Sequence, residues 1–210
     1  MTDFIIIGGG DHAKVIIEVL RAMNMKIIGA VDANKDQTHV LDVPILGDDA
    51  ILPSLRHQGV ANVAMGIGDN RLRERLGKRA HELGFSAPPL IHPSALISPS
   101  ARIGRGVVVM ARAVIGVQAI LRDMSLVNTG AILDHDNDLG GSAHVAPGCA
   151  IAGNVHIGDR TLLGVGSAIR PGVRIGSDSI IGAGSAVVSN IGDKQIVGGA
   201  PARPIKTGAQ

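Results

Sequence analysis

The stretch that decides the fold begins at Ile91 with IHPSALISPSARIGRGVVVM and runs to Val187. Along it every sixth residue is Ile, Leu or Val, and the frame does not slip once. These aliphatic positions are Ile91, Ile97, Ile103, Val109, Ile115, Leu121, Val127, Leu133, Leu139, Val145, Ile151, Ile157, Leu163, Ile169, Ile175, Ile181 and Val187. A period of six fits neither an α-helix nor a plain alternating strand, so the stretch is an internal repeat.

Two other positions of this six-residue repeat, the hexad, have preferences of their own. With the aliphatic residue as position one, position five is usually small or β-branched, as in Ala95, Val107 and Ser125. Position four is often Gly, Asn or Asp, which adopt left-handed backbone at the least cost; it is so at 106, 130, 136, 148, 154, 166, 172, 178, 184 and 190. Each hexad therefore predicts a short strand and a tight corner, and such a chain winds into a parallel β-helix.

These repeats resemble the hexapeptide-repeat family. The resemblance implies a left-handed parallel β-helix with three hexads in each triangular coil, so that residues about 18 apart stack in about five to six coils. It assigns residues 89–210 to this helix and its carboxyl-terminal tail. It also implies an acyltransferase that works as a homotrimer, because most members of the family are of that kind.

The composition is that of a soluble globular protein and argues against a polyanionic partner. The 210 residues are 45% hydrophobic and 18% charged, with a formal net charge of +2. The only aromatic residues, Phe4 and Phe85, are too few for the stacking platforms of single-stranded nucleic-acid binders. The amino end is too soon polar for a signal peptide, and no apolar run approaches the ~20 residues of a membrane span. We expect a cytoplasmic protein that binds neither nucleic acid nor membrane.

Residues 1–88 lack the hexad and predict a small Rossmann-like α/β domain with a parallel sheet. The patterns predict strands at 4–7, 26–31 and 63–67, and helices from 14 to about 23 and from 71 to about 83. The ligand crevice of such a sheet lies at the carboxyl ends of its strands. Gly8–Gly10, Asp32 and Gly68–Asn70 all fall there.

The glycine turn Gly8–Gly10, followed by Ala13 and by Asp32 roughly 20 residues later, is similar to a dinucleotide-binding fingerprint. Backbone N–H groups at a helix N-terminus attract phosphate, and His12 and Lys14 add donors beside them. Asp32 would accept a hydrogen bond from a ribose hydroxyl or a base. About 88 residues hardly supply the two βαβ halves of a dinucleotide domain, so a mononucleotide fits better. The alternative is a tight turn that binds nothing.

The glycine turn with its His and Lys, the short α/β domain and the hexads together resemble the bacillosamine and perosamine acetyltransferases. These sugar-nucleotide N-acetyltransferases act on 4-amino-4,6-dideoxy sugars and are relatives of the sialic acid O-acetyltransferases. The resemblance implies that the first domain binds the nucleotide-linked sugar. The substrate-binding residues that it implies are Gly8, Gly9, Gly10, His12, Lys14, Asp32, Gly68, Asn70 and Arg71, with Asn128 near the reacting amine. The chain departs from the family pattern at Asp11 and Ala13, where relatives often have glycine.

One hexad differs from the rest: Leu133-Asp134-His135-Asp136-Asn137-Asp138, with three acids, a histidine and Asn at the usually small fifth position. Acetyl transfer from a thioester to an amine needs a base, because the ammonium must lose a proton. His135 suits this role, since the unperturbed pKa of imidazole lies nearest neutrality. Asp136 or Asp134 would orient the ring and stabilise its cation. The alternative is a solvated polar corner.

Four further residues are predicted near acetyl-CoA. Gly153 lies 18 residues after His135, and a bare N–H one coil above the base could hold the thioester oxyanion. The resemblance supports Gly153 and adds His144, Ala183 and Arg203, with Arg203 pairing with a coenzyme phosphate. His144 follows His135 by nine residues, half a coil, so these two histidines are expected to meet only across a subunit interface. The alternative for His144 is a structural role.

No metal site is predicted, although some hexapeptide-repeat proteins are trimeric zinc enzymes. Their ligands stack at multiples of about 18 residues, whereas His135, His144 and His156 are separated by 9 and 12. We expect His156 on the surface of a strand. Cys149 occupies an inward fifth position and is predicted to be a buried core thiol.

The predicted function is acetyl-CoA-dependent N-acetylation of the 4-amino group of a UDP- or GDP-linked 4-amino-4,6-dideoxy sugar. Direct attack in a ternary complex would need neither metal nor covalent intermediate. Two alternatives stay open: an O-acetyltransferase of a sialic-acid-like sugar, and a non-catalytic sugar-nucleotide-binding protein on a β-helix scaffold.

Overall fold

The computed structural model describes residues 3–205, which form two compact units that divide between Pro93 and Ser94. The elements of the first unit are β1 (Asp3–Ile7), α1 (Asp11–Ala22), β2 (Lys26–Val31), β3 (His39–Val40), β4 (Val43–Pro44), a 3-10 helix (Asp49–Ile51), α2 (Leu52–His57), β5 (Asn62–Met65), α3 (Asn70–Glu82) and β6 (Leu90–Ile91). None of the helices within residues 3–205 is long and apolar enough to cross a membrane.

A parallel sheet in the order β2-β1-β5 forms the centre of the first unit, which confirms the α/β prediction. Phe4 to Ile7 in β1 are all buried. The buried face of α1 follows helical spacing, with Ala13, Ile16, Ile17 and Leu20. This helix begins at Asp11 rather than at Lys14, because Gly10 is its N-cap with extended backbone. The sequence patterns miss α2, whose six residues are too few to show a period.

The second unit is built from short strands, and all but the last two of them each coincide with one hexad. They are β7 (Leu96–Ile97), β8 (Arg102–Ile103), β9 (Val108–Val109), β10 (Val114–Ile115), β11 (Ile120–Leu121), β12 (Leu126–Val127), β13 (Ile132–Leu133), β14 (Asp138–Leu139), β15 (His144–Val145), β16 (Ala150–Ile151), β17 (His156–Ile157), β18 (Leu162–Leu163), β19 (Ala168–Ile169), β20 (Arg174–Ile175), β21 (Ile180–Ile181), β22 (Ala186–Val187), β23 (Ile196–Gly198) and β24 (Arg203–Pro204). From β7 to β22 every strand ends on the aliphatic residue of its hexad.

These strands stack into three parallel faces of a solenoid. Face 1 contains β7, β10, β13, β16, β19 and β22; face 2 contains β8, β11, β14, β17 and β20; face 3 contains β9, β12, β15, β18, β21 and β23, with β24 antiparallel at its end. From β7 to β22 successive strands of a face pair 18 residues apart, as Leu133 does with Ile151, whereas β23 pairs with β21 in a different register, Ile181 with Val197. With six strands on face 1, the chain makes about six coils. The solenoid confirms the predicted fold and is consistent with a left-handed β-helix.

The corners between the faces have left-handed backbone at position four of each hexad from 106 to 184. Glycine, Asn and Asp were expected there, but Arg112, Gln118 and Met124 adopt the same conformation, with φ of 59°, 56° and 61°. The stacking of neighbouring coils therefore outweighs the local preference of a single corner residue. Positions one and five point inward and form the core, and Cys149 at a fifth position is buried, as predicted.

Candidate active site

The clearest candidate for chemistry is the His135 corner, defined as residues 134–137 between face 1 and face 2. Here Nδ1 of His135 lies 2.8 Å from Oδ2 of Asp136. The carboxylate accepts from the ring, so the proton of the neutral imidazole is on Nδ1 and Nε2 is free to accept one. The hydrogen bond to Asp136, reinforced by the charges of Asp134 and Asp136, raises the pKa of His135. The arrangement is that of a base oriented by an acid.

The structure also distinguishes the two acids considered as partners of the base. Asp134 Oδ1 accepts from the backbone N–H of His135 at 2.8 Å, so this carboxylate fixes the main chain rather than the ring. Asp136 contacts the ring itself, and its φ of 56° turns the chain sharply after His135.

Gly153 lies directly against the base, in the next coil along face 1. The backbone N–H of Asn154 donates to the carbonyl of His135 at 2.9 Å, which stacks the two corners. A Cβ added at Gly153 would overlap Cε1 and Nε2 of the His135 ring. Only glycine therefore leaves room for the imidazole in this position. Its oxyanion role remains a prediction, whereas its closeness to the base is a feature of the fold.

A second group of predicted residues lies on face 3 and at its corner with face 1. Nδ2 of Asn128 is 3.2 Å from Nε2 of His144, one coil above. The amide is oriented by its own Oδ1, which accepts from the N–H of Thr129 at 2.8 Å. Nδ2 is then the donor to His144, whose Nε2 must be the acceptor. Ala183 occupies the same corner and Arg203 lies in β24, the outermost strand of the sheet.

The solenoid therefore places its predicted site residues at two different corners. His135, Asp136 and Gly153 lie between faces 1 and 2, whereas Asn128 and His144 belong to face 3 and its corner with face 1. Half a coil separates the two histidines, so the fold of one chain does not stack them.

His156, the third histidine in the described part of the solenoid, lies on face 2. His156 lies in β17 with its side chain 37% exposed, and its Nδ1 is 3.9 Å from Asp138 Oδ2. The main partner of Asp138 is Arg122, which donates to both carboxylate oxygens at 2.8 and 2.7 Å. Within residues 3–205, no group of three or more His, Cys, Asp or Glu side chains could hold a metal ion.

The glycine turn of the first unit is constrained on two sides. Gly8 has a φ of 103°, and a Cβ there would come within 2.8 Å of the carbonyl oxygen of Gly66 at the end of β5. A Cβ on Gly9 would press against Ile45 and Asp32, at 3.0 and 3.2 Å. Gly10 has open space around it. The turn therefore lies tightly against the segments that follow β2, β4 and β5, and its third residue is left accessible.

The polar residues beside this turn have mixed roles. Asp32 accepts from the N–H groups of Gly9 and Asn34, at 2.6 and 2.8 Å, so its carboxylate supports the turn. Lys14 is half-exposed and pairs with Asp11 at 2.8 Å, which places both signs of charge at the start of α1. Burial, together with the charge of Arg73, lowers the pKa of His12 to about 4, and its buried Nε2 has no hydrogen-bond partner among the described residues.

Arg73 is a residue that the sequence patterns missed. It is 1% exposed, and its guanidinium donates to the carbonyls of Ile67 and Gly68 at 3.1 and 3.0 Å and to Asn70 Oδ1 at 2.8 Å. Arg73 thus fixes the Gly68–Asn70 segment, while Arg71 on the same helix is exposed. A buried arginine on an otherwise charged helix leaves no signal in a periodicity pattern, because the sequence does not show which arginine points inward.

Each of the two units contains a segment that matches the model of a known protein family. Residues 3–80 match the model of the PglD N-terminal domain, and residues 154–188 match that of the bacterial transferase hexapeptide, six repeats. Fold and repeats define the chain as a hexapeptide-repeat transferase.

Several solved structures resemble the whole chain. PerB from Caulobacter crescentus, in complex with CoA and GDP-perosamine, is 48% identical with a TM-score of 0.94 over 97% of each chain. The acetyltransferase domain of PglB from Neisseria gonorrhoeae FA1090, in complex with acetyl coenzyme A, is 37% identical with a TM-score of 0.93 over 97% of this chain and 99% of that one. UDP-N-acetylbacillosamine N-acetyltransferase from Bacillus subtilis (strain 168) is 35% identical over 117 residues, 53% of this chain and 52% of the relative. The chain thus matches about half the length of this curated relative.

The chain belongs to the family of bacillosamine and perosamine N-acetyltransferases, in which a PglD-type domain precedes hexapeptide repeats. This confirms the predicted family and its acetyltransferase class.

Proposed function

We propose that the protein is an acetyl-CoA-dependent N-acetyltransferase acting on the 4-amino group of a nucleotide-linked 4-amino-4,6-dideoxy sugar. The observation that carries this proposal is the oriented base, His135 on Asp136, lying against Gly153. A GDP-linked sugar is favoured over a UDP-linked one, because the relative with GDP-perosamine bound is 48% identical over 97% of the chain.

The proposed reaction is a direct transfer within a ternary complex. The sugar amine attacks the thioester carbonyl while Nε2 of His135 takes the proton that the nitrogen loses. Asp136 stabilises the imidazolium, and the N–H of Gly153 donates to the oxygen that becomes negative. The tetrahedral intermediate then expels the CoA thiolate, and the resulting amide is the product.

Acetyl-CoA is assigned to the corner between faces 3 and 1. His144, Ala183 and Arg203 follow one another along this side of the solenoid. From Asn128 to Ala183 the chain climbs three coils, about 14 Å at the usual strand spacing. Such a row suits an extended ligand whose thioester end lies near Asn128 and His144 and whose phosphates lie toward Arg203.

We propose a homotrimer as the active form, because the two groups of site residues lie at different corners of one solenoid. A neighbouring copy could bring its His144 to the His135 corner. Face 1 supports association, since Leu96 and Ile132 on it are 68% and 44% exposed. Light scattering at micromolar concentration tests this proposal. A monomeric mass with full activity would contradict it.

The sugar nucleotide is assigned to the first unit, with its phosphates at the glycine turn and the start of α1. We predict that the double variant His12→Ala, Lys14→Ala raises the KM for the sugar nucleotide by roughly tenfold or more, since hydrogen bonds to charged groups contribute ~1.5–3 kcal/mol. The KM for acetyl-CoA should not change. Arg21→Ala, at the other end of α1, is the control. Equal losses for both substrates would show that the domains are misassigned.

An acetyl-CoA turnover assay decides among the candidate functions. GDP- and UDP-linked 4-amino-4,6-dideoxy sugars are compared with a sialic-acid-like sugar that offers only a hydroxyl. Release of CoA with the amino sugars supports the proposal, and the preferred nucleotide identifies the base. Turnover with the hydroxyl substrate alone would indicate an O-acetyltransferase, and binding without turnover would indicate a scaffold.

A further inference from the structure

Asn137 stands apart from the other residues at the fifth position of the hexad. From Ala95 to Ser185 this position is otherwise Ala, Ser, Thr, Cys or Val, because the side chain points into the narrow interior of a coil. Asn137 is 1% exposed. It follows His135 and Asp136 within the same corner, so an inward amide lies in the corner that carries the proposed base.

Both polar atoms of the Asn137 side-chain amide make hydrogen bonds. Nδ2 donates to the carbonyl of Asp134 at 2.8 Å, and Oδ1 accepts from the backbone N–H of Val155 at 2.8 Å. Asp134 begins the His135 corner, and Val155 ends the turn that contains Gly153. One side chain therefore connects the corner that carries the base to the turn on which its ring lies.

The hydrogen bond from Val155 differs from the commonest bond at this position of a hexad. In many other corners, though not at Ser179, the N–H of the fifth residue donates to the carbonyl at position two of its own hexad, as Ala131 does to Asn128 at 3.1 Å and Cys149 to Ala146 at 3.4 Å. Val155 donates to Asn137 of the preceding coil instead. The Gly153 turn is thus linked to the coil that holds His135 through the Asn137 side chain.

We infer that Asn137 is a positioning residue for acetyl transfer, holding the His135 ring and the Gly153 N–H in register with each other. This inference rests on the proposed roles of these two groups. The base and the oxyanion donor act on atoms two bonds apart, the nitrogen and the oxygen attached to the same carbon of the tetrahedral intermediate. A shift of one corner against the other would misplace one of them, and about 1 Å of misplacement can cost 10²-fold in rate.

The chain offers a matched control at Thr161, a buried fifth residue at another corner. Its hydroxyl donates to the carbonyl of Gly176 at 2.6 Å and accepts from the N–H of Ser179 at 3.1 Å. Thr161 thus also connects neighbouring coils through two buried hydrogen bonds, but no candidate base lies at its corner. Thr161→Val and Asn137→Ala should therefore destabilise the solenoid in the same way.

The test compares these variants by thermal unfolding, steady-state kinetics and titration of the His135 imidazole by ¹⁵N NMR. We expect Asn137→Ala to lower kcat by about 10- to 10²-fold with both KM values little changed, and Thr161→Val to retain wild-type kcat. The pKa of His135, raised by Asp136, should fall back toward 6.5 in Asn137→Ala alone. The charged groups next to the ring are Asp134 and Asp136, because Val117 and Gln118 below and Gly153 and Asn154 above are uncharged.

Asn137→Ser is a milder variant in case Asn137→Ala does not fold. Serine at this position elsewhere, at Ser167 and Ser185, keeps the bond to the carbonyl three residues back, at 2.7 and 2.6 Å. At Ser179 the hydroxyl also accepts from an N–H of the next coil at 3.1 Å, so we expect Asn137→Ser to retain part of the link to Val155. Its kcat should lie between those of wild type and Asn137→Ala. If the Asn137 variants keep the wild-type kcat and the wild-type pKa of His135, the inference is wrong and the role of Asn137 is purely structural. If the wild type transfers no acetyl group, the proposed function fails, and the His135 pKa still decides whether Asn137 positions the ring.

Discussion

Two corners of the same solenoid carry many polar residues and use them in opposite ways. The capped corner, between faces 2 and 3, consists of residues 104–106, 122–124, 140–142, 158–160, 176–178 and 192–194. There a side chain of one coil accepts from a backbone N–H of the coil before, as Asp159 does from Gly141 at 2.7 Å and Asp193 from Ser177 at 2.7 Å. At the His135 corner the carboxylates of Asp134 and Asp136 accept from His135 itself.

The difference shows why charge alone does not identify a catalytic corner. The capped corner also contains acids and arginines, including the Arg160–Asp178 pair at 2.8 Å, yet these bonds join one coil to the next and stabilise the stack. At the His135 corner the carboxylate of Asp136 orients a ring whose Nε2 is left as the acceptor for a proton. A polar corner is a candidate for chemistry when its hydrogen bonds leave a titratable group exposed and oriented.

His135→Asn should have the largest effect on activity. The change keeps a polar side chain but removes the group that takes a proton, so kcat should fall by about 10²–10⁴-fold with both KM values little changed. Steady-state kinetics measures this. His156→Asn, on face 2, is the matched control and should retain wild-type kcat. A His135→Asn enzyme with at least half of the wild-type kcat would show that the substrate amine needs no protein base.

Gly153→Ala should have the second-largest effect on kcat, because the added methyl group would overlap the His135 ring and displace it. A displaced base is expected to lower kcat by about 10²-fold while the fold is retained. Gly141→Ala is a close control at position three of a hexad in the capped corner, where the nearest atom to an added Cβ is 3.6 Å away. If both variants lose activity equally, the effect comes from the solenoid and not from the base.

The fold and the His135 corner could be predicted from the sequence because each leaves a local pattern. Stacked coils repeat their inward residue every six positions, so the period of Ile, Leu and Val predicts every strand from β7 to β22. The departure of one hexad from that pattern singled out His135 and Asp136. The first unit was predicted in outline, because its strands are buried apolar runs bounded by turns.

The roles of individual polar residues could not be predicted, because they depend on which atoms face each other across coils. Asp134 and Asp136 are equivalent in the sequence, but only Asp136 contacts the ring. Arg73 is one of several arginines on α3, and its burial depends on the packing of that helix. The capping role of Asp159 likewise depends on which backbone N–H of the preceding coil its carboxylate faces.

Asp136→Asn should lower activity less than the two changes above, because it weakens the orientation of the base without removing it. We expect a loss of roughly tenfold in kcat/KM, the equivalent of one hydrogen bond to a charged group. The wild-type kcat/KM should rise with pH through the raised pKa of His135, since only the neutral ring accepts a proton. In Asp136→Asn this limb should shift to lower pH. An unchanged limb would mean that another group, such as the substrate ammonium, titrates there.

Asp159→Ala should have the smallest effect on activity, and it tests whether the capped corner has only a structural role. The change removes the acceptor for the N–H of Gly141, but the corner is exposed and water can replace it. We therefore expect a loss of about 1 kcal/mol in the free energy of unfolding, roughly 2–4 °C in Tm, with kcat unchanged. Calorimetry and steady-state kinetics on the same preparation give both values, and Asp159→Asn, which keeps an acceptor oxygen, should recover most of the Tm. A loss of kcat as large as that of Asp136→Asn would place the capped corner in the active site, and hydrogen bonding between coils would no longer separate structural corners from catalytic ones.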